Sequence, residues 1–109
     1  MTLRPATFGR VVATARKQKQ ISQKELAAMV VKDDGSPISP QYLNDIEHGR
    51  RNPPSEPLLD QFAEILGLTR EYLYYVAGQF PSEFDPQSEP EQVQAAFRAF
   101  RRAFDRKRR

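Results

Sequence analysis

The chain has 109 residues, no cysteine, no tryptophan and a formal net charge of +3. That length allows one domain with a modest core. The missing cysteine excludes disulfides and thiolate metal sites, and no apolar run approaches the roughly 20 residues that cross a bilayer. The charge is uneven: seven basic and two acidic residues put +5 on positions 91–109, leaving −2 on the 90 residues before them. Any anion-binding surface in the first 90 residues must therefore gather its positive charge on one face. The start, Met1-Thr2-Leu3-Arg4-Pro5, lacks the apolar centre of a signal peptide, so the expected location is the cytoplasm.

The pattern predicts helices throughout and no strand. Helix one is expected over 7–19, with Phe8, Val11, Val12 and Ala15 at helical spacing. Helix two is expected over 23–30. It opens on Ser22-Gln23-Lys24-Glu25, in which the Ser and Glu side chains can each cover a free amide of the first turn. An eight-residue connector, 31–38, follows, with Asp33-Asp34-Gly35 reading as a turn. Helix three is expected over 40–48. Ser39 caps it, Pro40 takes the first helical position and Gly49 lies just past its end. Helix four is expected over 56–66 with Gly67 as its stop, and helix five over 70–77 with Gly78 closing it. The proline-rich segment that begins at Gln79 reads as a linker or strap, pinned by Phe80 and Phe84. A sixth helix is expected over 89–107. Its Val93, Phe97, Phe100 and Phe104 are spaced 4, 3, 4, which makes one apolar stripe.

Two short capped helices joined by a connector and followed by Arg50-Arg51 outline a helix-turn-helix. The residues also carry a resemblance. Ile21-Ser22-Gln23-Lys24-Glu25-Leu26-Ala27, Ile38-Ser39, Tyr42-Leu43, Ile46-Glu47 and Gly49-Arg50-Arg51-Asn52-Pro53 resemble the Cro/lambda-repressor-type, or xenobiotic-response-element, helix-turn-helix family. Leu58-Leu59, Phe62-Ala63 and Leu66-Gly67-Leu68 continue the likeness, which covers roughly residues 6–77. It implies an all-α fold, a five-helix lambda-repressor-like DNA-binding domain followed by a C-terminal helix. The organisation expected is a DNA-binding domain over 1–78, a Pro-rich linker over 79–88 and a basic amphipathic helix over 89–109. The connector departs from the family, whose turn at this place is very short.

Helix three offers Gln41, Tyr42, Asn44 and Asp45 as candidate base readers, because amide side chains can bond bidentately to adenine in the major groove. Asp45 would need a cytosine amino group or a structural partner. Gln23, Lys24, Ser39, His48, Arg50 and Arg51 are the candidates for backbone contact, Gln23 because it resembles the family's phosphate clamp. A solvated helix face is the plain alternative for each. Arg16 and Glu47 match two family positions that pair across helices one and three. The acidic connector should lie away from phosphate, with Lys32 its one contact. His48 is the only histidine, a poor start for a metal site, and neither a nucleophilic triad nor a Gly-rich phosphate loop is visible. No enzyme activity and no cofactor are expected.

The expected function is sequence-specific binding of double-stranded DNA as a transcriptional repressor on a paired operator. The stripe Val93, Phe97, Phe100 and Phe104 should cover itself by forming a homodimer or by folding back on its own domain; a disordered basic tail is the third possibility. A second dimer surface would be Tyr72, Tyr74 and Tyr75 on helix five. The alternative reading is an antitoxin-like or adaptor protein that binds a protein partner through the C-terminal helix.

Overall fold

A computed structural model describes residues 7–84 and 88–107. The first six residues, and the basic cluster formed by the Arg106 and Lys107 side chains with Arg108 and Arg109, lie outside that description. The chain forms α1 (Phe8–Gln18), α2 (Gln23–Met29), α3 (Pro40–Glu47), α4 (Glu56–Leu66), α5 (Arg70–Ala77) and α6 (Pro90–Lys107).

The starts follow from the side chains that precede them. Thr7, Ser22, Ser39 and Thr69 each accept a hydrogen bond from a first-turn amide, and Ser22 and Glu25 form the full reciprocal box. In that box the Ser22 amide, then its hydroxyl, hold the Glu25 carboxyl below its usual range. The ends of α1, α3, α4 and α5 share one device. A residue in the left-handed region donates three residues back, and its successor donates five residues back. Glycine fills that position at Gly49, Gly67 and Gly78, but α1 uses Gln20, at φ +61°. The Gln20 turn brings Ile21 onto the core and aims the Ile21 carbonyl at Arg16 Nη1, 2.8 Å away.

Phe8, Val12, Leu26, Val30, Leu43, Ile46, Leu59, Phe62, Leu66 and Leu73 close into one buried cluster among α1–α5. Phe8 meets Phe62 edge to face with ring centres 6.4 Å apart. Two small residues let backbones approach. Ala27 is buried on α2. Gly9 lies against the end of α3, where a Cβ would overlap the Ile46 carbonyl oxygen and come within 2.8 Å of that of Glu47. Tyr74 is also core. Burial pushes its phenol up to about 12, helped by its 2.7 Å hydrogen bond to Asp60. This corrects the expectation of a tyrosine surface on helix five: Tyr72 and Tyr75 are exposed, but Tyr74 points inward to reach Asp60.

The connector is a small hairpin. Lys32 and Ser36 bond across it, Val31 and Pro37 form a lone antiparallel bridge, and Gly35 takes a φ of +86°. That bridge is the only β pairing among the described residues. Gln61 of α4 clasps the Val31 backbone twice, accepting from its N–H and donating to its carbonyl, both at 2.8 Å. Ile38 is buried at the other end.

The strap after α5 is held differently from the expectation. Phe80 and Phe84 are 71% and 59% exposed and do not pin it. Polar bonds do: Gln79 to the Pro54 carbonyl, Ser82 to Glu56, and Glu83 to Arg70. Arg70 also binds Asp60 at 2.9 Å and lies over the Tyr74 ring, with its guanidinium carbon 4.9 Å from the ring centre. The polar side chains tie the strap to α4 and α5, while Phe80 meets Phe84 and Phe97 of α6 edge to face instead of the core.

Candidate nucleic-acid interface

Arg16, near the end of α1, and Glu47, at the end of α3, form a bidentate pair. Nε lies 2.7 Å from Oε2 and Nη2 lies 3.0 Å from Oε1. The side chains are only 11% and 3% exposed. Hydrogen bonding and charge from Glu47 raise the Arg16 pKa against the opposing effect of burial. Such a pair fixes geometry more than it adds stability, because desolvation offsets much of the attraction.

From this pair a chain of hydrogen bonds runs onto the outer face of α3. Gln23 donates to Glu47 Oε1 at 2.8 Å, and Asn44 donates to Gln23 Oε1 at 3.2 Å. Arg50 Nη2 donates to Asn44 Oδ1 at 2.6 Å, while Arg50 Nε reaches Asp45 Oδ1 at 3.1 Å. Gln41 Nε2 donates to the same Asp45 oxygen at 3.0 Å. Arg16, Glu47, Gln23, Asn44, Arg50, Asp45 and Gln41 are thus one connected set spanning α1, α2, α3 and the segment after α3.

The arrangement changes how several residues read. Both ends of the Gln23 amide are occupied within the domain, so its side chain braces α3. Asp45 has the structural partner its charge requires, in Arg50. Tyr42 packs partly on the core, and Arg51 lies over its ring at 5.2 Å from guanidinium carbon to centre. Gln41 is exposed at the start of α3. Ser39 uses its hydroxyl oxygen to accept from the Tyr42 amide. His48 is exposed and its Nδ1 donates to the Asn44 carbonyl at 2.9 Å. Lys24 is exposed on the first turn of α2. The connector's Asp34 is turned into its own hairpin: the Ser36 hydroxyl, then the Ser36 amide, lower its pKa.

α6 presents Val93, Phe97, Phe100 and Phe104 at 43–50% exposure. Phe100 and Phe104 lean on Tyr75, and Phe97 on Phe80, with ring centres 6.1–6.3 Å apart.

Among the described residues, no group of acids and histidine could hold a metal ion, and no helix is long and apolar enough to cross a membrane. No curated protein and no solved structure matches the chain significantly. The helix-turn-helix family model HTH_3 matches residues 12–73, more than half of the chain. The match takes in the ion pair, the bonded network and most of the five-helix core, all but Phe8 and Tyr74 of its buried side chains. This chain belongs to the Cro/lambda-repressor-type helix-turn-helix family, the xenobiotic-response-element group of DNA-binding regulators.

Proposed function

We propose that the protein is a transcriptional repressor that binds a paired operator as a homodimer in the cytoplasm, with α3 as its reading helix. Family membership supports DNA binding and transcriptional regulation in general. The repressor sense and the paired site are our reading. One observation carries it: the outer face of α3 is braced by bonded side chains that end on a buried ion pair. Bracing limits the rotamer entropy lost when a polar side chain meets a base edge. In this reading Gln41 addresses a base edge with Tyr42 beside it, and Asn44, bonded at both ends of its amide, braces that face. Lys24, Ser39, His48 and Arg51 meet phosphate and set the register.

The homodimer rests on α6. An aromatic row left half open on a small domain is an apolar surface that a second copy can cover, and paired half-sites require a symmetric dimer. The same row supports the second reading, an antitoxin-like or adaptor protein that uses α6 to hold a protein partner.

Selection from random duplex DNA tests the proposal, followed by light scattering on the selected complex. We expect two like half-sites about one or more helical turns apart, bound by two chains. A monomer that enriches no sequence, and whose α6 is protected only when a partner protein is co-expressed, would favour the adaptor.

A further inference from the structure

We propose that Arg50 reads a guanine and that Asp45 and Asn44 hold it in position, so that this trio sets one base of the recognised sequence. The inference rests on the reading of α3 as the DNA-facing helix. It departs from the simpler expectation that Arg50 neutralises phosphate while Asp45 reads a base itself.

Three observations lead to it. Gly49, at φ +75°, turns the chain back over the end of α3, where the Arg50 amide bonds to the Asp45 carbonyl at 2.8 Å. Backbone and side chain of Arg50 are therefore both tied to Asp45. Next, the bonds occupy one edge of the guanidinium: Nε on Asp45 and Nη2 on Asn44. Among the described residues Nη1 has no hydrogen-bond partner, and Nη2 carries a second N–H. These two donors form the unbonded edge of a side chain that is 55% exposed, a fork for which guanine presents two matching acceptors, O6 and N7, in the major groove. Finally, Asp45 also accepts from Gln41 one turn earlier. The fork therefore starts from the same carboxylate oxygen as the foremost base-reading candidate.

A phosphate is also a two-acceptor ligand, so charge decides between the two. Asp45 is only 21% exposed beside an Arg50 that is 55% exposed, so its charge offsets part of that of Arg50. A paired arginine releases fewer counterions than a free one, and the Asp45 carboxylate would repel a phosphate at close range. A neutral base edge suffers neither effect. Arg51 is the contrast: it makes no ion pair among the described residues and lies over Tyr42, which suits a backbone contact.

The test is selection from a random duplex library with the full chain and with Arg50→Ala, Arg50→Lys and Asp45→Asn, each checked for folding by circular dichroism. The natural chain should select a guanine at one position of each half-site. Arg50→Ala should lower discrimination at that position on the order of 10–100-fold, with little change on random DNA. Arg50→Lys should fail to restore it, because a point charge is no fork. Asp45→Asn should relax the same base pair although Arg50 is still present. If instead Arg50→Ala weakens selected and random DNA alike, and Arg50→Lys recovers both, Arg50 is a backbone contact and the inference is wrong. If Asp45→Asn relaxes a different base pair, Asp45 is itself the reader and the inference is again wrong. A natural chain that selects no sequence overturns the regulator reading along with it.

Discussion

The domain built by α1–α5 and the helix α6 use aromatic residues to opposite ends. Phe8, Phe62 and Tyr74 are closed on all sides, two of them in an edge-to-face pair and the third bonded to a carboxylate. Phe97, Phe100 and Phe104 touch their own domain through single rings and leave about half of their surface open. Both regions are amphipathic helices with the same kind of sequence pattern. What separates them is closure. The five helices bury their stripes in one another, whereas the rings of α6 meet, among the described rings of the domain and strap, Tyr75 and Phe80. A stripe of regular spacing thus reports that a face will be covered, but not by what.

The sharpest way to break the closed region is to open its ion pair. Glu47→Ala should destabilise the domain by about 3–5 kcal/mol, because Arg16 then keeps a buried charge without a partner. Replacing both residues by apolar ones of similar size should recover most of the loss in urea unfolding. Independent, additive effects in that cycle would mean that the pair does not couple. The next largest effect belongs to Gly9→Ala. The new methyl group meets two backbone carbonyls of α3, which cannot turn aside as a side chain would. Overpacking of this kind costs about 1–3 kcal/mol, and the better helix propensity of alanine returns at most about 1. We expect a net loss and a displaced α3, read as weaker DNA binding at temperatures where the protein is still folded.

How much of this was visible in the chain depends on range. Ser22 with Glu25, Ser39 with Pro40, and Gly67 and Gly78 place α2, α3, α4 and α5 to within a residue or two, because a cap is a local hydrogen-bonding requirement. Which residues share the outer face of α3 follows from the same local order, because Gln41, Asn44 and Asp45 lie on one short helix of known phase. Their bonding does not. That Gln23 spends its side chain on Glu47 and Asn44 depends on how α2 crosses α3, which no spacing within either helix encodes. The clasp of Gln61 on Val31 joins residues thirty positions apart and left no local mark. Tyr74 was misread because its polar end hides its role: the ring is buried while the hydroxyl reaches out to Asp60 on the neighbouring helix, whose carboxylate is partly exposed. Nothing local marks Gly9 either: its role comes from the end of α3 lying against it.

A milder perturbation separates burial from mere contact. Tyr74 should hold its proton to about pH 12 in the folded protein, against about 10 in the unfolded chain. The stabilisation tied to that proton is complete below pH 10. It should fade between pH 10 and 12, where only the unfolded chain can release the proton. Tyr74→Phe should cost about 1–2 kcal/mol at neutral pH through the lost bond to Asp60. The gap between the two proteins should then narrow as pH rises past 10 in urea unfolding curves. A gap that stays constant to pH 12 would show that the phenol ionises as freely in the fold as outside it.

The smallest expected effect on folding comes from removing the open region altogether. Truncation after Gln87 deletes α6, and with it three ring contacts that lie at the edge of the domain. No buried side chain of the α1–α5 core loses its cover, and the strap keeps its bonds from Gln79, Ser82 and Glu83. Half-open aromatic contacts are worth about 0.5–1.5 kcal/mol a pair at best, and ordering an 18-residue helix opposes them. The urea midpoint of the truncated chain, measured at a concentration low enough to keep the full chain monomeric, should therefore match the parent within about 1 kcal/mol. Association should respond in the opposite sense. Light scattering should show the full chain passing to a dimer as its concentration rises, while the truncated chain stays a monomer. A large drop in the midpoint would mean that α6 belongs to the closed region after all. Two dimers would move the interface onto the exposed Tyr72 and Tyr75, and two monomers would leave the aromatic row to a partner of another kind.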